Sequence, residues 1–126
     1  MQVVIIEDEE DIRAFLRKAL TMYDPTIEIV EAGNGMEAVK LLAGGSPDGI
    51  ILDMLMPDMD GWEFLQVMEA MESDCPVVIL TAVHRDNASL CGIMTTYDNV
   101  IDIENKPIGI QEAARILDTL KQHRKA

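Results

Sequence analysis

Polar side chains stand at the end of, or directly after, four separate apolar runs of this chain. They are, in chain order, Glu7, Asp8, Asp53, Thr81 and Lys106. If the runs are strands of one parallel sheet, their carboxyl ends meet at one edge, where open α/β sheets bind ligands. Three carboxylates beside a hydroxyl and an ammonium suit a divalent cation and a phosphoryl group, because Mg2+ prefers carboxylate, water and phosphate oxygens. The pattern therefore predicts a phosphorylation site with Asp53 as the acceptor.

Each of these residues also has an ordinary structural interpretation. Glu7–Asp11 could be an acidic helix start stabilised by the helix dipole, and Asp53 and Thr81 could simply end strands. The apolar run continues past Asp53 through Met54–Met56, however, and a charge inside apolar sequence needs a partner. Lys106, a point charge on a long stem, is the natural one. Carboxylates that share a crevice without a cation repel each other, so at least one should have a raised pKa.

The apolar runs alternate with helical patterns, and this alternation predicts a parallel sheet with helices on both faces. The first run is continuous and β-branched, as in a strand covered on both faces, whereas the second alternates and should lie nearer an edge. The predicted strands are Val3–Ile6, Ile27–Val30, Gly49–Leu52, Pro76–Leu80 and Val100–Ile103, of which the fifth is expected to be the shortest.

Capping patterns indicate where the helices begin. Apolar residues spaced at i, i+3, i+4 and i+7 over Ile12–Leu20 predict the first helix. Asn34 and Asp60 each have a Glu three residues on, which is the pattern that opens a helix. The last helix should begin near Ile110. Residues 84–99 carry few helix signals, and we expect a weak or irregular helix there.

Composition limits the class of protein. The 126 residues suit one domain with a real core. The formal net charge of −13 disfavours nucleic-acid binding, and no apolar run approaches the ~20 residues of a membrane span. With no leader pattern expected, we predict a cytoplasmic location in which Cys75 and Cys91 are reduced and unreactive. The basic run Lys121–Lys125 is interpreted as a helix end stabilised by its cations, or else as a docking element.

Four runs of the sequence together resemble the receiver domain of two-component response regulators. They are Val3–Glu9, Ile51–Gly61, Val78–Ala82 and Lys106–Pro107, which occur in the family's order and span essentially the whole chain. The resemblance implies a flavodoxin-like α/β fold, a doubly wound five-stranded parallel sheet of strand order 2-1-3-4-5 with helices on both faces. It also implies that residues 1–126 form a single receiver domain. Whether an effector domain follows in the native protein stays open.

The resemblance implies a phosphoacceptor with a Mg2+ cofactor. Asp53 would take the phosphoryl group from a histidine kinase, a phosphotransfer protein or a small phosphodonor. Mg2+ would be held by the Asp8 and Asp53 side chains and by the Leu55 backbone carbonyl, with Glu7 acting directly or through water. Glu7 stands where the family more often has Asp, and the longer acid is compatible with this role.

The same resemblance assigns the phosphoryl oxygens to Thr81, the Ala82 backbone N–H and Lys106. It also implies a cis peptide bond between Lys106 and Pro107. Catalysis of this kind is mainly positioning and charge neutralisation. The domain would therefore catalyse only its own phosphorylation and dephosphorylation, and would not be an enzyme for other substrates.

Two departures from the family pattern concern switching. The resemblance assigns the switch to Thr81 and to position 103, where an aromatic ring usually swings inward as the Thr follows the phosphoryl group. Here Ile103 occupies that position, and Thr96–Asn99 replaces the Gly-Ala that usually precedes strand five. Ile103 has too little reach for ring rotation. We therefore expect order changes in residues 82–99, whose sequence specifies structure weakly.

Two further positions bear on dephosphorylation. In receivers, the residues two after the acceptor and two after the Thr border the approach of water to phosphorus. Here these are Leu55 and Val83, and neither can hydrogen-bond a water. Because hydrolysis needs an in-line water that the protein can position, we predict a long-lived phosphoryl group. The alternative is that both residues are ordinary loop hydrophobes chosen for packing.

The sequence is thus interpreted as a phospho-acceptor signalling switch of a two-component or phosphorelay system. Its output face would be helix 4, strand 5 and helix 5, which would meet a downstream protein target or a second copy in a homodimer. Two alternatives stay open: a non-phosphorylated scaffold with the same fold, and a Mg2+-dependent aspartyl-phosphate phosphohydrolase. The hydrolase reading lacks an acid two residues after Asp53, where Leu55 stands, and lacks a Gly-rich phosphate-binding loop.

Overall fold

Five strands form a single sheet in the computed structural model, which describes residues 1–84 and 86–124. The strands are β1 Gln2–Ile6, β2 Glu28–Ala32, β3 Gly49–Leu52, β4 Val77–Thr81 and β5 Val100–Asn105. The helices are α1 Glu10–Tyr23, α2 Gly35–Ala43, α3 Gly61–Ala70, α4 Ile93–Thr96 and α5 Ile110–His123. The strand order is β2-β1-β3-β4-β5, and the four pairings are parallel. The predicted flavodoxin-like, doubly wound α/β fold is confirmed.

Burial explains the strand order. All residues of β3 and β4 are buried, because helices cover both faces of the central strands. β2 forms one edge of the sheet, and there an exposed Glu28 is followed by a buried Ile29. The prediction that the alternating run Ile27–Val30 lies near an edge is confirmed.

Two apolar layers hold the helices on opposite faces of the sheet. In one layer, Leu16 and Leu20 of α1 meet Leu117 of α5 under the sheet. In the other, Phe64 and Met68 of α3 pack with α2 against the opposite face. Each such side chain contributes about 1.5–3 kcal/mol when it is fully buried, so these layers supply the rigidity on which the strand ends depend.

Side-chain caps determine where two helices begin. The Asn34 carboxamide oxygen accepts a hydrogen bond from the Glu37 N–H at 2.9 Å, ahead of α2. Asp60 and Glu63 form a capping box ahead of α3, with bonds of 2.9 and 3.2 Å. Both predicted helix starts are confirmed. Because the capping box at Asp60 begins α3 at Gly61, only a short loop separates Asp53 from α3.

β5 is longer than its sequence suggests. The prediction that the fifth strand is the shortest is wrong, since β5 has six residues and β3 has four. Its additional residues are Glu104 and Asn105, which pair with Leu80 and Thr81. Polar residues on an edge strand give no apolar signal, and the sequence pattern therefore ended at Ile103.

The connection between β4 and β5 is irregular, as predicted for residues 84–99. Turns precede α4, which has four residues and follows Gly92 in the left-handed region at φ 80°. Arg85 lies outside the described residues, and so do Ala126 and Lys125, the end of the basic run. Among the helices of the described ranges, none combines the length and apolarity needed to cross a membrane.

Candidate functional site

The sheet places three of the predicted site residues directly beyond its strands. Glu7 follows β1, Asp53 follows β3 and Lys106 follows β5. Their N–H groups still donate to carbonyls of neighbouring strands at 2.9–3.0 Å. The sheet therefore fixes the backbone of each residue, and each side chain leaves from a defined point. The peptide bond between Lys106 and Pro107 is cis, as the resemblance implies.

The Lys106 ammonium lies between two buried carboxylates. Its Nζ contacts Glu7 Oε1 directly and lies 3.4 Å from Asp53 Oδ2. Glu7 is 2% exposed and Asp53 4% exposed, so solvent does little to neutralise either charge. Lys106 is the partner that the sequence predicts for Asp53. Its closer contact with Glu7 was not predicted.

Glu7, Asp53 and Lys106 form a cluster in which two carboxyl groups share one ammonium, so the cluster is short of positive charge. Burial raises the pKa of Glu7 to about 7, against the lowering effect of the Lys106 hydrogen bond and with help from the charge of Asp53. Burial lowers the pKa of Lys106, but its contacts with the two carboxylates outweigh burial and leave that pKa raised. The raised pKa of Glu7 agrees with the prediction that at least one carboxyl of the crevice has a raised pKa without a cation.

Three carboxylates of the crevice fit a hard divalent cation. Glu7, Asp8 and Asp53 each offer an oxygen, and these oxygens lie within 4.8 Å of one another. Mg2+ binds oxygens at about 2.0–2.1 Å, so opposite ligands of one ion are about 4 Å apart. Small side-chain movements would therefore bring the three oxygens to the distances that one ion requires. Asp8 is exposed while the other two are buried, which gives such an ion a solvent side for water and a phosphoryl oxygen. The added charge would also offset the burial and the Asp53 charge that raise the pKa of Glu7.

The loops after β3 and β4 hold the other predicted residues. The Leu55 N–H donates to Asp53 Oδ1 at 3.3 Å, and the Leu55 side chain is exposed. Thr81 is fully buried, and its Oγ1 accepts a hydrogen bond from the Val83 N–H at 3.2 Å. Ala82, between them, is exposed. The structure therefore brings the predicted hydroxyl to the same edge of the sheet as the acceptor.

Peptide geometry sets the direction of the Ala82 N–H. In a trans peptide, the carbonyl and the following N–H point to opposite sides. The Thr81 carbonyl points toward β5, because it accepts the Lys106 N–H at 2.9 Å. The Ala82 N–H in the same peptide plane therefore points to the β3 side of β4, which is the side of Asp53. This is the direction that the predicted phosphoryl contact requires.

Two polar residues at this edge were missed by the sequence reasoning. The Asn105 side chain donates through Nδ2 to the Thr81 carbonyl at 3.2 Å and to the Val83 carbonyl at 2.6 Å. Arg13 donates through Nη1 to the Glu7 carbonyl at 2.6 Å. A polar residue directly before a predicted phosphoryl ligand is a signal that could have found Asn105. Arg13 has no such signal, because its place on a helix does not say what its side chain reaches.

The irregular segment after β4 contacts the rest of the molecule through apolar packing and through a hydrogen bond to α3. Ile103 of β5 is buried and packs in the same apolar layer as Leu90 and Ile93. The Trp62 indole N–H, at the start of α3, donates to the Ser89 carbonyl at 3.0 Å. Position 103 thus contacts the segment through aliphatic packing, without a ring.

Comparison with known proteins gives a consistent result. The family model of the response regulator receiver domain matches residues 3–120, a range that contains every site residue described above. Response regulator MprA of Mycobacterium ulcerans (strain Agy99) is 28% identical over 112 residues, which cover 89% of this chain and 46% of that protein. The chain thus spans about half the length of the curated relatives that it matches.

Solved structures show the same similarity. The receiver domain of the Francisella response regulator 1452 has a TM-score of 0.77 and 26% identity, and the match covers 98% of each chain. Response regulator protein TrrA from Thermotoga maritima, in complex with Mg2+-BeF, also has a TM-score of 0.77 and 26% identity. That match covers 94% of this chain and 97% of the other.

The raised pKa of Glu7 predicts that metal-free protein loses stability as the pH rises. Between pH 4.5 and about 7 the native state binds more protons than the unfolded state, so the free energy of unfolding falls through that window. Urea titrations in EDTA at about pH 5 and about pH 7.5 should show wild type losing on the order of 2 kcal/mol more than Glu7→Gln, since one pKa unit is about 1.4 kcal/mol. The exposed Glu9→Gln serves as the control and should follow wild type. Equal pH dependence in wild type and Glu7→Gln would contradict the raised pKa.

Proposed function

The chain belongs to the response regulator receiver domain family, and we propose that it is a phospho-acceptor switch in which Asp53 takes the phosphoryl group. The observation that carries the proposal is the buried pair Glu7 and Asp53, which share one ammonium beside exposed Asp8. Buried ion pairs seldom stabilise a fold more than apolar packing would. A site that binds a cation and a phosphoryl group gives this costly arrangement a use.

Phosphoryl transfer would be an in-line displacement. A carboxylate oxygen of Asp53 forms the new bond to phosphorus while the bond from phosphorus to the donor breaks, and the donor leaves with that bonding pair. The donor is a phosphohistidine of a histidine kinase or phosphotransfer protein, or a small phosphodonor. Mg2+, when bound by Glu7, Asp8 and Asp53 with the Leu55 carbonyl, supplies positive charge for the phosphoryl oxygens.

The chain's own side chains then exchange partners. Lys106 lies 3.4 Å from Asp53 Oδ2 and can move to a phosphoryl oxygen once Glu7 has a cation for a partner. The Thr81 hydroxyl donates to a second oxygen, and the Ala82 N–H, which points to the β3 side, donates to a third. The protein contributes by positioning and charge neutralisation. In this proposal it acts only on its own Asp53 and is no enzyme for other substrates.

Switching would begin at Thr81. Phosphorylation replaces the single charge of the Asp53 carboxylate with a phosphoryl group that carries about −1.5 to −2, and a hydroxyl drawn toward its oxygens leaves the Val83 N–H that it now contacts. The change passes into residues 82–99, and Ile103 follows because it lies in the same apolar layer as Leu90. The proposed output surface is the face of α4, β5 and α5, which would meet a downstream protein or a second copy of this chain in the cytoplasm.

Asp53→Asn should abolish phosphorylation and leave the fold intact, because it removes one of the repelling charges. With Mg2+ and acetyl phosphate, intact-mass spectrometry should show wild type gaining one phosphoryl group and Asp53→Asn gaining none. Asp58→Asn is the matched control, since Asp58 is an exposed residue of the same loop at φ 69°, where Asn is tolerated. Labelling of Asp53→Asn at the wild-type rate would refute the assignment.

The same experiment separates the two alternatives. A receiver-like scaffold stays unmodified as wild type. A phosphohydrolase consumes many equivalents of acetyl phosphate and holds no phosphoryl group at the end. Only a phospho-acceptor accumulates one phosphoryl group for each chain, and this accumulation distinguishes it from both.

Mg2+ should raise the melting temperature, because it binds the native carboxylate cluster. At ten times its Kd the gain is about 1.4 kcal/mol, or roughly 2–6 °C for a domain of this size. Asp8→Ala should abolish the shift by removing one of the three ligands. Asp11→Ala, which removes an exposed acid from the first turn of α1, should keep it. A wild type that shows no shift in scanning calorimetry would contradict the metal site.

The phosphoryl group on Asp53 should be long-lived, because Leu55 and Val83 can shield the phosphorus and cannot bind a water. Leu55→Asn combined with Val83→Glu should speed dephosphorylation about tenfold, which corresponds to ~1.4 kcal/mol in the transition state. Decay is followed by mass after the donor is removed. Leu41→Asn, at an exposed position on α2, should decay like wild type. Loss within seconds in wild type, or no acceleration in the double variant, would contradict this role.

A further inference from the structure

Asn105 connects the strand that leads to Lys106 with the loop that begins at Thr81. Its Nδ2 donates to the Thr81 carbonyl at 3.2 Å and to the Val83 carbonyl at 2.6 Å. Both partners are carbonyl oxygens, which only accept, so the NH2 end of the carboxamide must face them. Asn105 also pairs with Thr81 in the β4–β5 register. The side chain therefore spans from the last residue of β5 to the start of the loop.

These two bonds hold the turn of residues 81–83 at both ends. The Thr81 carbonyl accepts from Asn105 and from the Lys106 N–H at 2.9 Å, so two donors draw it toward β5. The Ala82 N–H, in the same trans peptide, is thereby turned toward β3. Within the turn, the Val83 N–H donates to Thr81 Oγ1, which leaves the hydroxyl hydrogen available to donate outward.

We propose that Asn105 is a positioning residue for phosphoryl transfer, which aims the Ala82 N–H and the Thr81 hydroxyl at the group on Asp53. The inference rests on the proposed function of Asp53 and adds a residue that is not among the proposed ligands of the cation or of the phosphoryl group. An untethered loop would sample other directions, and a misplacement on the order of 1 Å can slow a reaction about a hundredfold. The competing interpretation is that Asn105 only stabilises the end of β5.

Asn99 provides a matched control at the other end of the same strand. It directly precedes β5, and its Nδ2 donates to the Cys75 carbonyl ahead of β4 at 3.2 Å. Both Asn side chains are half-buried, and both join a flank of β5 to a flank of β4. Only Asn105 lies at the edge that carries the site. Leu at either position keeps the side-chain size and removes the donors.

Three measurements on the whole chain test the role of Asn105. They are the rate of labelling by acetyl phosphate at saturating Mg2+, the calorimetric affinity for Mg2+ alone, and the affinity for beryllium fluoride with Mg2+ as a phosphoryl mimic. Asn105→Leu should label about tenfold more slowly and bind beryllium fluoride about tenfold more weakly, while its affinity for Mg2+ stays within about twofold of wild type. Asn99→Leu should match wild type in all three and lose comparable stability to urea.

The outcomes separate positioning from stability. Wild-type labelling by Asn105→Leu, or equal losses in the two Leu variants, would overturn the positioning role. A loss of Mg2+ affinity together with labelling would overturn it as well, because it would show that the whole crevice is disturbed. If Asn105→Leu does not fold, Asn105→Ala and Asn99→Ala replace the pair. A wild type that is not labelled at all would overturn the proposed function itself, whatever the variants do.

Discussion

One ammonium between two buried carboxylates is the interaction on which the site depends. The three groups come from three strands, Glu7 from the end of β1, Asp53 from β3 and Lys106 from β5. The strand register is therefore also the register of the charges, and a shift of β5 by one residue would replace Lys106 with Asn105 or Pro107. The packing of helices on both faces stabilises that register. The packing that fixes the strand register therefore also determines which charged groups meet in the site.

The sequence predicted those parts that follow from apolar periodicity. Central strands buried on both faces give uninterrupted apolar runs, and a polar residue directly after such a run can only lie at the carboxyl edge. That reasoning located Glu7, Asp53 and Lys106, and the capping patterns at Asn34 and Asp60 located two helices. Each inference used residues adjacent in sequence, where local chemistry determines local structure.

Other features depend on contacts between residues far apart in sequence. The contact of Lys106 with Glu7 joins positions 99 residues apart by their numbering, and no pattern along the chain indicates which carboxylate the ammonium approaches more closely. The length of β5 was underestimated because Glu104 and Asn105 pair through their backbone while their side chains stay polar. The two bonds of Asn105 likewise depend on where the loop after Thr81 turns. Such contacts require the register before they can be inferred.

The two sides of the site differ in how firmly they are built. Glu7 and Asp53 follow central strands that lead into α1 and α3, whereas Thr81 ends a central strand that leads into turns and a four-residue helix. The Trp62 indole, which donates to Ser89 within those turns, is the only tryptophan of the chain. An indole whose N–H bond changes also changes its emission. The unlabelled protein therefore carries its single indole at the boundary between its rigid and its adaptable parts, and tryptophan emission reports on that boundary without any added dye.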